Sequence, residues 1–237
     1  MYDDFLSEDQ QVKMVIANSS FAKVFATLAG SITYLRKNTF LYKEILITSL
    51  PALVLVVICS YWIGQIEFSK KTFAFIFIIL MLPILIKMLI DSSQNNEYQP
   101  SIEPKENRTI KLLLLGIIAG IVPSISGLGG GFIMVPVLIY FIGYTINESI
   151  AISLGVIFCT SVALSVYYAF VHPVLPGINN AIGAISLGLS LPLVIGVLLA
   201  APLGVKVSNA LKPGTIRQLF VVICLIIIGK TIIVDLL

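Results

Sequence analysis

The 237 residues are 58% hydrophobic and 11% charged, with a mean hydropathy of +1.03. Soluble domains carry about 25% charged residues, so this composition excludes an ordinary water-soluble domain and fits a chain embedded in a bilayer. The net charge of +3 is small and spread along the chain, which argues against a nucleic-acid partner.

The N-terminal "MYDDFLSEDQQ" is acidic and polar, unlike a signal peptide, which needs a basic start followed by an apolar run. Runs of about 20 residues with little or no charge then predict membrane-spanning helices near 14–35, 45–66 and 72–90. A polar linker, "DSSQNNEYQPSIEPKENRTIK", occupies 91–111. After an uncharged run over 112–142, three more spans are predicted near 149–171, 180–205 and 215–234. The expected fold is an all-α membrane protein, a polytopic helical bundle. Its parts are a first repeat of three spans (1–90), a cytoplasmic linker (91–111) and a second repeat (112–237). Cys59, Cys159 and Cys224 all fall in apolar segments without paired or metal-type spacing, so no metal or cofactor is expected.

The run 112–142 is too long for one ordinary span and too short for two with a turn between them. Within it, "GIIAGIVPSISGLGGGFIMVP" (116–136) places Gly127, Gly129, Gly130 and Gly131 just after Pro123. Each interior glycine costs a helix roughly 1 kcal/mol relative to alanine, and a proline removes a backbone donor. The segment is therefore expected to break between Pro123 and Gly131 into a re-entrant hairpin with two arms of roughly 20 Å. Irregular backbone at membrane depth survives only where protein or a water-filled cavity satisfies it, so the break should line something. Unpaired amides there would favour an anion, and Ser124 and Ser126 add hydroxyls. Gly116 and Gly120 are read instead as allowing a close helix crossing.

The two halves resemble each other. Ala17, Ser19, Ala29, Ser31 and Tyr34 match Ala151, Ser153, Ala163, Ser165 and Tyr168 at one offset of 134 residues. Further on, "SLPAL" (49–53) parallels "SLPLV" (190–194), and Lys87 parallels Lys230. If the broken segment enters and returns, nine basic residues (Arg36, Lys37, Lys43, Lys105, Arg108, Lys111, Lys206, Lys212, Arg217) share one side against Lys13, Lys70 and Lys71. Basic loops favour the cytoplasm, so the repeats are expected to be inverted, with both termini outside the cell membrane.

None of the twelve acidic residues lies deep in a span, whereas Lys23 sits near the middle of the first. Without an intramembrane carboxylate the usual cation site is missing, and a small anionic solute suits what remains. For Lys23, attraction of substrate and a tolerated polar position are both open. Lys87 and Lys230, near helix ends, are read as snorkelling. Asn18, Ser19, Thr27, Ser153, Thr160 and Ser161 are further polar residues at helix depth, read either as pathway residues or as hydrogen-bonded to the preceding turn or across helices.

"GIIAGIVPSISGLGGGFIMVPVLI" followed by "ESIAISLGVIFCTSVALSVYYAFVHP" resembles the TauE/SafE family of membrane transporter proteins. The matching residues are Gly127, Gly129, Gly130, Gly131, Pro136 and Ala151 to Leu154, with Ile152 where the family often has threonine. The resemblance covers 110–235 well and 14–90 more weakly. It implies a multi-pass permease for small, sulfur-containing anions such as sulfite or sulfonates. Family members usually carry a glycine-rich hairpin in each half, and the first is absent from this sequence. The expectation is an upstream start or a fragment, or a homo-oligomer or partner subunit that completes the site. An anion channel would use the same amide-lined break, and a purely structural membrane protein is a further alternative. An intramembrane hydrolase built on Ser124 or Ser126 would need a nearby base, and the single histidine, His172, falls in a predicted outer loop, so no enzyme is expected.

Overall fold

The computed structural model describes residues 8–36, 40–65, 78, 82, 85, 86, 105–126, 131–170, 181–211 and 213–231. In chain order these form α1 (Glu8–Arg36), α2 (Tyr42–Gln65), α3 (Lys105–Ser126) and α4 (Gly131–Val137), the last continued by a π-helical turn, Leu138–Ile142. Then come α5 (Ile146–Phe170), strands β1 (Ala181–Ile182) and β2 (Ile185–Ser186), α6 (Leu187–Ala210) and α7 (Pro213–Thr231). Among the described residues, five helices are long and apolar enough to cross a membrane: Gln10–Ile32, Tyr42–Trp62, Asn107–Ser124, Ile146–Phe170 and Leu187–Val207. The chain is an all-α polytopic membrane protein. Most of the span expected at 72–90 lies outside the described residues.

The segment 112–142 is two helices. α3 ends at Ser126 and α4 begins at Gly131. The chain comes back on itself, because the Lys111 ammonium donates to the Phe141 carbonyl at 3.0 Å. The arms are unequal, contrary to the sequence expectation. α3 starts at Lys105, seven residues inside the predicted linker, because "KENRTIK" has good helix formers and no breaker. The return arm is short, and Gly143 ends it in the left-handed region (φ 88), where Tyr144 N–H donates to Leu138 O at 3.0 Å. Two residues later Thr145 and Glu148 form a reciprocal cap that starts α5. Thr145 N–H reaches Glu148 Oε2 at 2.9 Å, and Glu148 N–H reaches Thr145 Oγ1 at 3.4 Å.

α3 packs along α2 in parallel through residues spaced by four. An added Cβ at Gly116 would meet Thr48 O and Pro51, and one at Gly120 would lie 2.6 Å from Ala52 O. One turn on, Ser124 Oγ reaches Val56 O at 3.2 Å. Small residues at every fourth position let two backbones approach, which is how helices associate in lipid without a hydrophobic driving force. Gly116 and Gly120 thus serve packing, as expected.

α1 runs antiparallel to α5. Ile16 and Ala17 share a buried cluster with Leu164 and Tyr168, while Tyr34 shares another with Ala151 and Val205. α6 runs parallel to α1 and packs on it, and α2 packs on α5. The span expected to start at 180 instead begins with a β-hairpin, in which Ala181 pairs with Ser186 and Ile182 with Ile185. Gly183, at φ 60, makes its turn. Ala184 N–H donates to Tyr168 O at 2.9 Å, so the hairpin caps the end of α5. Apolar composition alone does not separate such a strand pair from the start of a helix. The outer face of α6, with Leu191, Leu193, Ile195, Leu199 and Leu203 exposed, is suited to lipid.

Candidate functional site

The start of α4 lies against the middle of α5. Gly131 opens α4 so close to Ile157 that a Cβ there would overlap its Cδ1. Thr160, one turn further along α5, is 2% exposed. Contacts at Gly30 with Leu154 and the shared cluster of Ala17 with Tyr168 fix the antiparallel register of α1 on α5. That register sets Lys23, partly buried on α1, level with Ser161 and Val162. The start of α4, the middle of α5 and Lys23 therefore lie at one depth. Gly127, Gly129, Gly130 and the side chain of Ser126 lie outside the described residues.

Several of the candidate hydroxyls are bonded to backbone carbonyls. Ser124 Oγ donates to Gly120 O at 2.9 Å or Val56 O at 3.2 Å. Ser19 donates to Ile16 O at 3.1 Å and Ser153 to Ile150 O at 2.9 Å. Thr160 shares Val156 O and Ile157 O at 3.1 and 3.2 Å, and Thr27 reaches Lys23 O at 2.7 Å. These bonds to the preceding turn satisfy the hydroxyls inside their own helices. Asn18 is spent differently, on a contact between α1, β2 and α6. Its Oδ1 accepts from Ser186 N–H at 3.0 Å and Ser190 Oγ at 2.5 Å.

A second polar cluster gathers where the hairpin opens. The Arg108 guanidinium lies 4.8 Å from the centroid of the Tyr144 ring. Burial, then the negative charge of Glu44, raises the Tyr144 phenol above its usual range, with Glu148 adding to the rise and Arg108 opposing it. The phenol therefore stays protonated and neutral at physiological pH. The start of α2, the start of α3 and the start of α5 thus meet at one end of the bundle. The end of α6 joins them there, since Val205 clusters with Tyr34 and Ala151. The described flanks of the three basic loops singled out from sequence, namely the end of α1 with the start of α2, the start of α3 and the end of α6, thus lie at this end. Sequence reasoning found the basic residues but not the Arg108–Tyr144 stack, which joins α3 to the turn before α5 and leaves no local pattern. The Thr145–Glu148 box was legible as T-x-x-E and was missed.

A family profile described as sulfite exporter TauE/SafE matches residues 5–231. The chain is also similar to the "Probable membrane transporter protein MJ0441" of Methanocaldococcus jannaschii, at 28% identity over 116 residues. That stretch is 49% of this chain and 42% of the relative, so the similarity spans less than half of either. No solved structure matches.

Proposed function

Because the chain belongs to the sulfite exporter TauE/SafE family, we propose that it is a membrane carrier of small anions, sulfite or a related sulfur-containing anion among them. The observation that carries this reading is the helix break between Ser126 and Gly131, set against the middle of α5. A break inside the bilayer frees main-chain amides, and free amides in a low-dielectric setting favour an anion. Lys23 at the same depth supplies positive charge, and no described Asp or Glu lies there to oppose it.

The helix packing supports a reading as inverted repeats. Exchanging the halves turns the Ala17–Tyr168 association into Tyr34–Ala151, and all four residues are fully buried or 1% exposed. It also turns the α1–α6 joint into α5–α2. An exchange that reverses helix direction has its axis in the membrane plane, the plan of many secondary transporters.

Purified protein in vesicles should take up sulfite, sulfate, thiosulfate or a sulfonate with saturable kinetics and counterflow. Large single-channel currents would make it a pore instead, and no flux of any of these anions would remove the carrier reading. In the same reading the loops 36–44, 91–111 and 206–217 are cytoplasmic. Single cysteines placed in each should react with an impermeant thiol reagent only from the cytoplasmic side. Labelling of 206–217 from outside the cell would overturn the arrangement.

A further inference from the structure

The two halves differ where α1 meets α6. Asn18, 3% exposed, fills all of its hydrogen-bonding positions. Its Nδ2 donates to Met14 O at 2.7 Å and, at the limit of range, to Ala184 O at 3.5 Å. Its Oδ1 takes the Ser186 amide and the Ser190 hydroxyl. The amide orientation is fixed by chemistry, because a backbone N–H can only donate. One side chain thus ties α1 to the strand that caps α5 and to the first turn of α6.

The repeat correspondence assigns Ile152 to Asn18, and the "SLP" match assigns Ser49 to Ser190 and Ile45 to Ser186. At that corresponding joint the contacts are apolar. Ile45 and Ile152 share one buried cluster, and the buried Ser49 hydroxyl has no hydrogen-bond partner among the described residues. At corresponding positions the two joints are therefore held in different ways, one by directional bonds and one by apolar contact. In hydrocarbon a broken interhelical hydrogen bond finds no water to replace it, so the bonded joint resists rearrangement more than its counterpart.

We propose that Asn18, Ser186 and Ser190 form a latch that holds the α1–α6 joint shut at the end of the bundle opposite the basic loops, and that a transport cycle must open it while the α5–α2 joint moves freely. The proposal rests on the carrier reading for its role in a cycle, but the latch itself is read without flux. Asn18 is on this view a positioning residue and not a substrate ligand.

The test uses Ile185→Cys, beside Ser186 and 4% exposed, as a reporter in a chain whose native cysteines are replaced. Its reaction with an impermeant maleimide is timed in vesicles. Ser190→Ala should speed labelling about three- to tenfold, as expected for loss of one interhelical hydrogen bond. Asn18→Leu should speed it further, and Ser49→Ala should leave it unchanged. A second reporter, Val205→Cys at the other end of α6, should not respond to Ser190→Ala. Unchanged labelling of Ile185→Cys in Ser190→Ala overturns the latch, as does an equal rise at both reporters or an equal effect of Ser49→Ala. Vesicles with the expected labelling but no anion flux would overturn the carrier reading and leave the latch standing.

Discussion

Gly120→Val should cost this protein much of its thermal stability. The α2 backbone lies so close to Gly120 that an added Cβ would stand 2.6 Å from Ala52 O and 2.9 Å from Leu55 Cβ. Both are inside van der Waals contact, and Ala52 O belongs to a helix that cannot give way without shifting as a unit. Overpacking costs roughly 1 to 3 kcal/mol where flexible side chains absorb it, and a clash with backbone belongs at the upper end. For a chain of this size, 2 to 3 kcal/mol corresponds to a fall in Tm of roughly 5 to 10 °C. Gly196→Val is the matched control. It sits on the exposed face of α6, where an added Cβ meets nothing within 4 Å, and should change stability by less than about 0.5 kcal/mol. Equal melting of the two variants in detergent would show that the α2–α3 contact is looser than described. Gly116 falls under the same argument through Thr48 O, so Gly116→Ala should also destabilise.

Gly130→Val should leave the fold in place and abolish most of the transport. Gly130 lies outside the described residues, in the sequence interval between Ser126, where α3 ends, and Gly131, where α4 begins. If an anion rests on main-chain amides in this turn, a valine side chain crowds the surface it must touch. Losing one hydrogen bond to a charged group costs about 1.5 to 3 kcal/mol, or roughly 10- to 100-fold in flux at low substrate. Ser126→Ala removes at most a hydroxyl donor, worth about 0.5 to 1.5 kcal/mol, and should fall between wild type and Gly130→Val. Normal flux in a well-expressed Gly130→Val protein would move the site away from the turn, and Lys23→Met would then be the decisive variant.

The sequence by itself determined the solvent and, from the solvent, the fold class. A bilayer core accepts only segments whose backbone bonds are satisfied internally, so about 20 uncharged residues in a row are a physical specification of a helix. It also located the break, because Pro123 and the glycines at 127 to 131 depress helix propensity whatever surrounds them. Tertiary structure decided what composition cannot express. Ser49 and Ser190 stand in the same short motif, yet one hydroxyl is bonded to Asn18 and the other has no partner among the described residues, because Asn18 faces one and Ile152 stands at the corresponding place for the other. Gly116 and Gly196 are both glycines in apolar helices, and only the packing of α2 against α3 makes the first intolerant of a side chain. Hydropathy is the same whether a residue faces lipid or another helix. The choice between them is made by shape and hydrogen bonding across positions far apart in the chain, and those appear only when the helices are brought together.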